Sequence, residues 1–471
     1  MGERQHIADR IDALAAQRGD DPALTVEDET WSYRALAQAS RRAASRLHAL
    51  GARPGDMVVL PMANSPEQVA CFLGAWRLGA TPLPLSQTVP EIELDHIMRA
   101  AGARIVLRAG QDLAGEPLWQ APSLTAARCR AQASGGSTGL PKVIVDTEPS
   151  TVDPAEDHWG WTEGPALFVP GPTYHSGPMN HLIGGLTRGV HVVMMRKFDA
   201  GQAIALIARH RPHWALFVPT MMNRLLKAAQ SPADRAVLAS LRRVWHSAAA
   251  CPAWLKQAWI DLVGPDAVWE IFGGSEGVST TIISGREWLD HPGSVGRAAG
   301  NGEIAVFDAA GQPVPPGTVG EIFMRNRVDP RRFVVISEVS QRLHGEWESF
   351  GDLGALDADG FLTLADRRID MINSGGNNVF PAEVEAAIQS HPAVGDAVVF
   401  GQPDDDLGEV VCARVHVENG SLDRDGLLAH LATRLTRYKL PRRIEFTDEP
   451  IRNDAGKVRR SGLTLVSQAP A

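Results

Sequence analysis

Between residues 32 and 50 apolar side chains return every third or fourth position: Leu36, Ala39, Ala43, Leu47 and Leu50. That spacing lays them along one stripe of an α-helix, and Gly51 marks its end. The period then changes. Residues 57–60 form an unbroken apolar run of strand length. Ser65-Pro66-Glu67-Gln68 predicts a helix start, with Ser65 as cap, Pro66 in the first turn and Gln68 closing a capping box. Gly79 ends that helix, and residues 80–85 predict another strand. Residues 108–133, rich in Ala, Gly, Pro and Gln, break the pattern and are expected to form a surface connection.

After that interruption the alternation resumes. Strands are expected at 143–145, 166–169, 191–195, 214–218 and 243–246, with helices at 200–210 and 220–229. Strand alternating with helix predicts parallel sheet, and two such stretches predict one doubly wound sheet after another. From residue 292 the pattern becomes turn-rich and strand-like: Pro-Gly-Ser-Val-Gly-Arg at 292–297, alternation around 303–307, and Gly320-Glu321-Ile322. A small β-barrel is the expectation there. The last hundred or so residues predict a small α+β unit, with helices at 382–391 and 424–435 and strands at 393–400 and 410–417.

Composition narrows the function classes. The chain has 471 residues, 44% of them hydrophobic and 21% charged, with a formal net charge of −9. That is ordinary for a globular protein of two or more domains. No basic tail or patch stands out, so nucleic acid is not an expected partner. No apolar run reaches membrane-spanning length, and residues 1–9 lack a signal-peptide core. A cytoplasmic protein without membrane insertion is therefore expected. Cys71, Cys129, Cys251 and Cys412 are scattered and form no Cys-x-x-Cys pair, which argues against zinc and redox sites.

One run stands apart: Ser134-Gly135-Gly136-Ser137-Thr138-Gly139-Leu140-Pro141-Lys142. Glycine allows positive φ and close approach of a ligand to the main chain. Successive N–H groups in such a turn point into one concavity and favour anions. The hydroxyls add donors and Lys142 adds a charge, so the simplest ligand is a polyphosphate. A Gly/Ser/Thr cluster taken alone is also what a solvated turn looks like. A Walker A loop needs Lys directly after its last Gly and then Ser or Thr. Pro141 intervenes here and Val143 follows, so that pattern does not fit.

The run resembles the phosphate loop of the adenylate-forming superfamily, which includes acyl- and aryl-CoA ligases, non-ribosomal peptide adenylation domains and beetle luciferases. Other stretches resemble that superfamily's motifs in order. Tyr174-His175-Ser176, after the strand expected at 166–169, resembles the place where the acyl group enters. Amino-acid-activating members usually carry Phe-Asp there, so the resemblance implies an acid without an α-amine. A histidine after a strand is also commonly structural. Ser247-Ala248-Ala249-Ala250 resembles one wall of the adenine slot, with Ala248 and Ala249 where glycines are usual. Phe272-Gly273-Gly274-Ser275-Glu276 resembles the Tyr-Gly-x-Thr-Glu signature. It implies a ring stacked on adenine (Phe272), a hydroxyl for the α-phosphate (Ser275) and an Mg²⁺ ligand (Glu276). Asp352 and Arg367 stand where the superfamily contacts ribose; Phe350 replaces a usual Thr.

The resemblance implies a hinge at Ile369 or Asp370, dividing an N-terminal AMP-binding domain, 1–368, from a C-terminal mobile domain, 369–471. Residues 375–381 resemble the loop that lines the thiol tunnel after domain rotation. Gly456-Lys457 resembles the terminal motif, whose lysine reaches the reacting carboxylate and α-phosphate. The expected fold is therefore α/β: a large domain of two doubly wound sheets and a small barrel, then a small α+β domain.

The expected enzyme is an ATP-dependent carboxylic acid ligase that releases pyrophosphate and passes the acyl group to coenzyme A. An amide synthetase using a free amine is the alternative, and a non-catalytic nucleotide-binding protein a remoter one. The resemblance implies Lys457, His175 and Glu276 as catalytic residues. Ser134, Gly135, Gly136, Ser137, Thr138, Gly139, Lys142, Ala248, Ala249, Phe272, Gly273, Ser275, Asp352 and Arg367 would bind ATP. Thr138 and Glu276 would organise Mg²⁺. Tyr174, Ser176, Met179 and Gly274 would line the acid pocket. Arg434, Arg437, Lys439, Arg442 and Arg443 offer charges for coenzyme A phosphates, or a solvated face.

Overall fold

Six parallel strands form the spine of the largest sheet, in the spatial order Pro22–Val26, His191–Met194, Ala166–Val169, Trp214–Phe217, Arg243–His246 and Val268–Gly273. These segments are apolar on both faces because helices cover both faces, as parallel sheets require. The computed structural model describes residues 3–110, 113–134, 142–274, 277–328, 333–336, 342–349, 351–367, 370–374, 377–404, 407–418, 422–452, 458, 460 and 463–465.

One face packs the helices Ile7–Arg18, Tyr33–Ala49, Pro66–Arg77 and Ser176–Thr187 into a core that includes Tyr33, Phe72, Trp76 and Trp214. The other packs Ala200–His210, Pro219–Ala228 and Ala253–Val263 around Phe168, Phe217 and Trp259. A second parallel sheet holds Thr81–Leu85, Met57–Pro61 and Ile105–Val106. Beyond Val268–Gly273 the large sheet turns antiparallel through Thr280–Ser284 and Ser294–Ala298 to Leu362–Arg367, Asp352–Leu356 and Gly320–Asn326. The last part of the chain builds its own five-stranded sheet with helices Pro381–Gln389 and Arg424–Ala432, around Ile372, Val384, Val399 and Val415. The fold is thus α/β with a large mixed-sheet body and a smaller α+β unit after it.

Several local expectations need correction. Ser65 caps its helix by accepting from the Gln68 N–H, but Gln68 does not close a box. Its amide donates to the Met62 carbonyl, and its Oε1 accepts from Thr173 at 2.7 Å. Long-range partners won over the local one. Pro219 starts a helix as well as ending a strand, the N1 position that tolerates its missing N–H. The stretch expected as a surface connection ends in strand Arg130–Ser134, which pairs antiparallel with Lys142–Asp146.

Reciprocal capping occurs elsewhere. Ser284 accepts from the Glu287 N–H while Glu287 accepts from the Ser284 N–H. We expect Ser284→Ala to lower stability by about 1 kcal/mol. Urea denaturation reads this, and an unchanged midpoint and slope would remove the box from the list of stabilising contacts.

Candidate active site

Parallel strands carry their carboxyl ends to one edge of a sheet, and open α/β sheets bind ligands beyond that edge. Here that edge carries His175 after Ala166–Val169, Ala248 and Ala249 after Arg243–His246, and Gly274 after Val268–Gly273. A cleft of about 2400 Å³ opens there. It is lined by His175, Ser176, Met179, Ala248, Ala249, Phe272, Gly273 and Gly274 from the edge, and by Lys142 and Asp352 from outside it. Tyr174 is not among the lining residues; its ring lies against His175, centroids 4.5 Å apart.

Each is held for a local reason. His175 is the N-terminal flanking residue of helix Ser176–Thr187 and stays extended, at φ −103°. The Ser176 hydroxyl donates to Gln132 Oε1 at 2.7 Å, tying the helix to strand Arg130–Ser134. Ser134 and Lys142 are direct partners across that hairpin, so residues 135–141 join its two ends. Ala248 sits at φ +73°, a left-handed conformation that costs a residue with a Cβ roughly 1–2 kcal/mol. This is why glycine suits the position, and Ala248 adopts the turn anyway. Asp352 is the register partner of Arg367, so the two expected ribose contacts are cross-strand neighbours. Gly135, Gly136, Ser137, Thr138, Gly139, Ser275, Glu276 and Lys457 lie outside the described residues, as do Phe350 and Ile369. The residues that are described suit a nucleotide: small flat walls and a ring at 248, 249 and 272, a carboxylate for hydroxyls, and a lysine for phosphates.

The expected basic set near the C-terminal end is partly committed. Lys439 binds both oxygens of Glu383 at 2.6 Å, and Arg443 donates to Gln402 at 3.2 Å and lies 3.7 Å from Asp404.

Three groups at the cleft went unread in the sequence. The first is a buried ion pair beneath the 247–252 turn. Lys256 Nζ lies 2.6 Å from Glu270 Oε2, the side chains 1% and 6% exposed. His246 is fully buried, its Nδ1 3.8 Å from Glu270 Oε1, and neither ring nitrogen has a hydrogen-bond partner among the described residues. Burial raises the Glu270 carboxyl even against the opposing pull of Lys256. Burial, helped by the Lys256 charge, keeps His246 neutral far below its ordinary range. A lysine on a helix and a glutamate in an otherwise apolar strand were the available signals.

The second group is an ion network from the small unit. Glu385 accepts from Arg452 at 2.9 Å and from Arg460 at 2.7 Å, one on each oxygen. Arg460 also donates to Asp370 at 2.8 Å, and Arg452 to Asp396 at 3.0 Å. Asp370, Glu385, Arg452 and Arg460 all line the cleft. The two arginines bracket residues 453–459 in the chain.

The third group is aromatic. Trp159, Trp161 and His181 line the cleft beyond Met179. Trp161 Nε1 donates to His181 Nδ1 at 3.0 Å. Burial, with the Arg130 charge adding to it, pushes His181 down to about 3.

Two family models match the chain. The model of the AMP-binding enzyme family matches residues 11–133 and 131–328, and that of the AMP-binding enzyme C-terminal domain matches 383–457. The long-chain-fatty-acid–CoA ligase FadD13 of Mycobacterium tuberculosis is 29% identical over 476 residues, covering 93% of each chain. The o-succinylbenzoate CoA synthetase of Bacillus subtilis, solved with its acyl-adenylate intermediate, superposes with a TM-score of 0.81 at 24% identity, covering 100% of both chains. The amide bond synthetase McbA of Marinactinospora thermotolerans superposes with a TM-score of 0.73 at 25% identity, covering 96% of this chain and 97% of that one. No helix among the described residues is long and apolar enough to cross a membrane.

Proposed function

The chain belongs to the AMP-binding enzyme family, and from that premise we propose that it joins a carboxylic acid to coenzyme A through an acyl-adenylate. An adenylate-forming ligase is the class the family assigns; acid and acceptor are our reading. The observation that carries it is the shared cleft. Described residues expected for adenine (Ala248, Phe272), ribose (Asp352), phosphate (Lys142) and the acid (Ser176, Met179) face one cavity, together with Asp370, Arg452 and Arg460 from the unit that carries Lys457.

In this reading ATP lies along the carboxyl edge. Phe272 stacks on adenine against Ala248 and Ala249, Asp352 and Arg367 take the ribose hydroxyls, and Ser275 meets the α-phosphate. The 134–142 run with Lys142 takes the β- and γ-phosphates. Thr138 and Glu276 would hold Mg²⁺, which neutralises phosphate charge when bound. The acid enters past His175, which Tyr174 backs, into the pocket of Ser176, Met179 and Gly274. A carboxylate oxygen attacks the α-phosphorus, the bond to the bridging α–β oxygen breaks, and pyrophosphate leaves. Coenzyme A sulfur then attacks the acyl carbon and AMP leaves. The protein's part is positioning and charge stabilisation rather than covalent catalysis.

We assign residues 1–368 to the nucleotide-binding domain and 369–471 to a mobile domain that alternates between the two steps. Two doubly wound sheets and a small barrel remain our description of the larger domain. The amide-forming alternative draws support from the likeness to the amide bond synthetase and from the prior engagement of Lys439 and Arg443.

The test incubates the protein with ATP, Mg²⁺ and a panel of aryl, fatty and polycyclic acids. AMP and pyrophosphate are expected with at least one acid; ADP and phosphate instead would sink the reading. With that acid, coenzyme A and a simple amine are offered together, and mass spectrometry reads the product. A thioester supports the first acceptor, and an amide alone replaces it with the second.

A further inference from the structure

The far end of the acid pocket contains a histidine whose tautomer is fixed. A tryptophan N–H can only donate, so His181 Nδ1, which receives the Trp161 Nε1–H at 3.0 Å, must be the unprotonated nitrogen. The ring is 5% exposed and neutral. Its proton therefore resides on Nε2, and the one side-chain hydrogen bond of His181 among the described residues is the one at Nδ1. The surroundings are aromatic: Trp159 and Trp161 meet the imidazole edge-on at 5.1 and 5.7 Å, and Trp214 lies tilted against it at 4.5 Å. Met179 and Ile183 add apolar walls on the same helix.

A neutral donor in an aromatic enclosure discriminates by what it is offered. A saturated chain would desolvate the N–H and return nothing, whereas an acceptor pairs with it. A cationic group would face a donor, with the Arg130 charge close enough to bear on the ring. His181 follows His175 by six positions, which places it roughly 9 Å further along the helix axis. The acceptor must thus sit at the far end of the acid, well away from the reacting carboxylate.

We propose that His181 is a specificity-determining residue, donating from Nε2 to an uncharged or anionic acceptor at the distal end of a flat aryl acid, and that Trp161 positions it by holding its tautomer. This rests on the ligase reading above and names the substrate class for that same pocket.

The test compares two acids of matched shape, 4-methoxycinnamate and 4-ethylcinnamate, by kcat/KM for pyrophosphate release. Wild type should favour the methoxy acid by about tenfold, the worth of one hydrogen bond to a neutral acceptor. His181→Phe keeps a ring but no donor, and should bring the ratio within about twofold. Trp161→Phe removes the group that fixes the tautomer and should lower the ratio while His181 remains. A wild-type ratio near one overturns the proposal, and so does a ratio that survives His181→Phe. The wild-type and Trp161→Phe ratios decide the matter even if His181→Phe does not fold. Pyrophosphate release with hexadecanoate but with neither cinnamate would overturn this inference and leave the ligase reading standing. No release with any acid of the panel would overturn both.

Discussion

Lys457→Ala should slow acyl-adenylate formation by roughly a hundred- to a thousandfold while ATP binding changes little. One well-placed donor aimed at charge that develops in the transition state is worth about 3–4 kcal/mol. Ground-state ATP has other anchors in our reading, among them Lys142, Phe272 and Asp352, so its affinity depends little on a residue that acts on the reacting atoms. Lys457 lies outside the described residues, and the arginines on either side of it in the chain share one partner. The stretch that carries it is bracketed by Arg452 and Arg460, and both guanidiniums close on the buried carboxylate of Glu385. ATP–pyrophosphate exchange reads the first step alone. Exchange near the wild-type rate would remove Lys457 from the chemistry. Thioester formation from preformed acyl-adenylate reads the second step, and a small effect there fits a domain that turns its lysine away between steps.

Much of this was legible in the chain because it is written in local terms. The helix over Tyr33–Ala49 follows from a stripe of apolar residues, and Ser32 caps it. The strands Ala166–Val169 and Trp214–Phe217 are short apolar runs with a proline close behind each. What escaped lacks a local signature. Strand Arg130–Ser134 is too polar to read as a strand, and its pairing with Lys142–Asp146 is what makes it one. Gln68 has the spacing of a capping box, yet Thr173, over a hundred residues away, takes its side chain. Trp159, Trp161 and His181 are separated in sequence and meet only where helix Ser176–Thr187 packs on the sheet. Burial and partnership are properties of the folded molecule, and no local pattern in the chain announces them.

The same holds for Lys256, and its removal is the second large effect expected. Lys256→Met keeps an unbranched chain of similar length but leaves Glu270 buried without its cation. Breaking a buried pair in this way costs about 3–5 kcal/mol, because the remaining charge keeps its desolvation penalty and loses its compensation. The pH dependence gives a further check. Burial already raises the Glu270 carboxyl, and losing Lys256 raises it more. An acid whose folded-state value exceeds its unfolded one binds more protons when folded, so stability falls as pH rises from about 4.3 toward the folded-state value. The deficit of Lys256→Met relative to wild type should therefore be largest near neutrality and shrink as pH falls toward 4. A double change, Lys256→Met with Glu270→Gln, removes both charges and should recover most of the loss. Guanidinium denaturation of the three proteins across this pH range reads all of it. Equal stability of Lys256→Met and wild type at neutral pH would mean that Glu270 reaches solvent through the cleft it lines, and the pair would then carry no stabilising role.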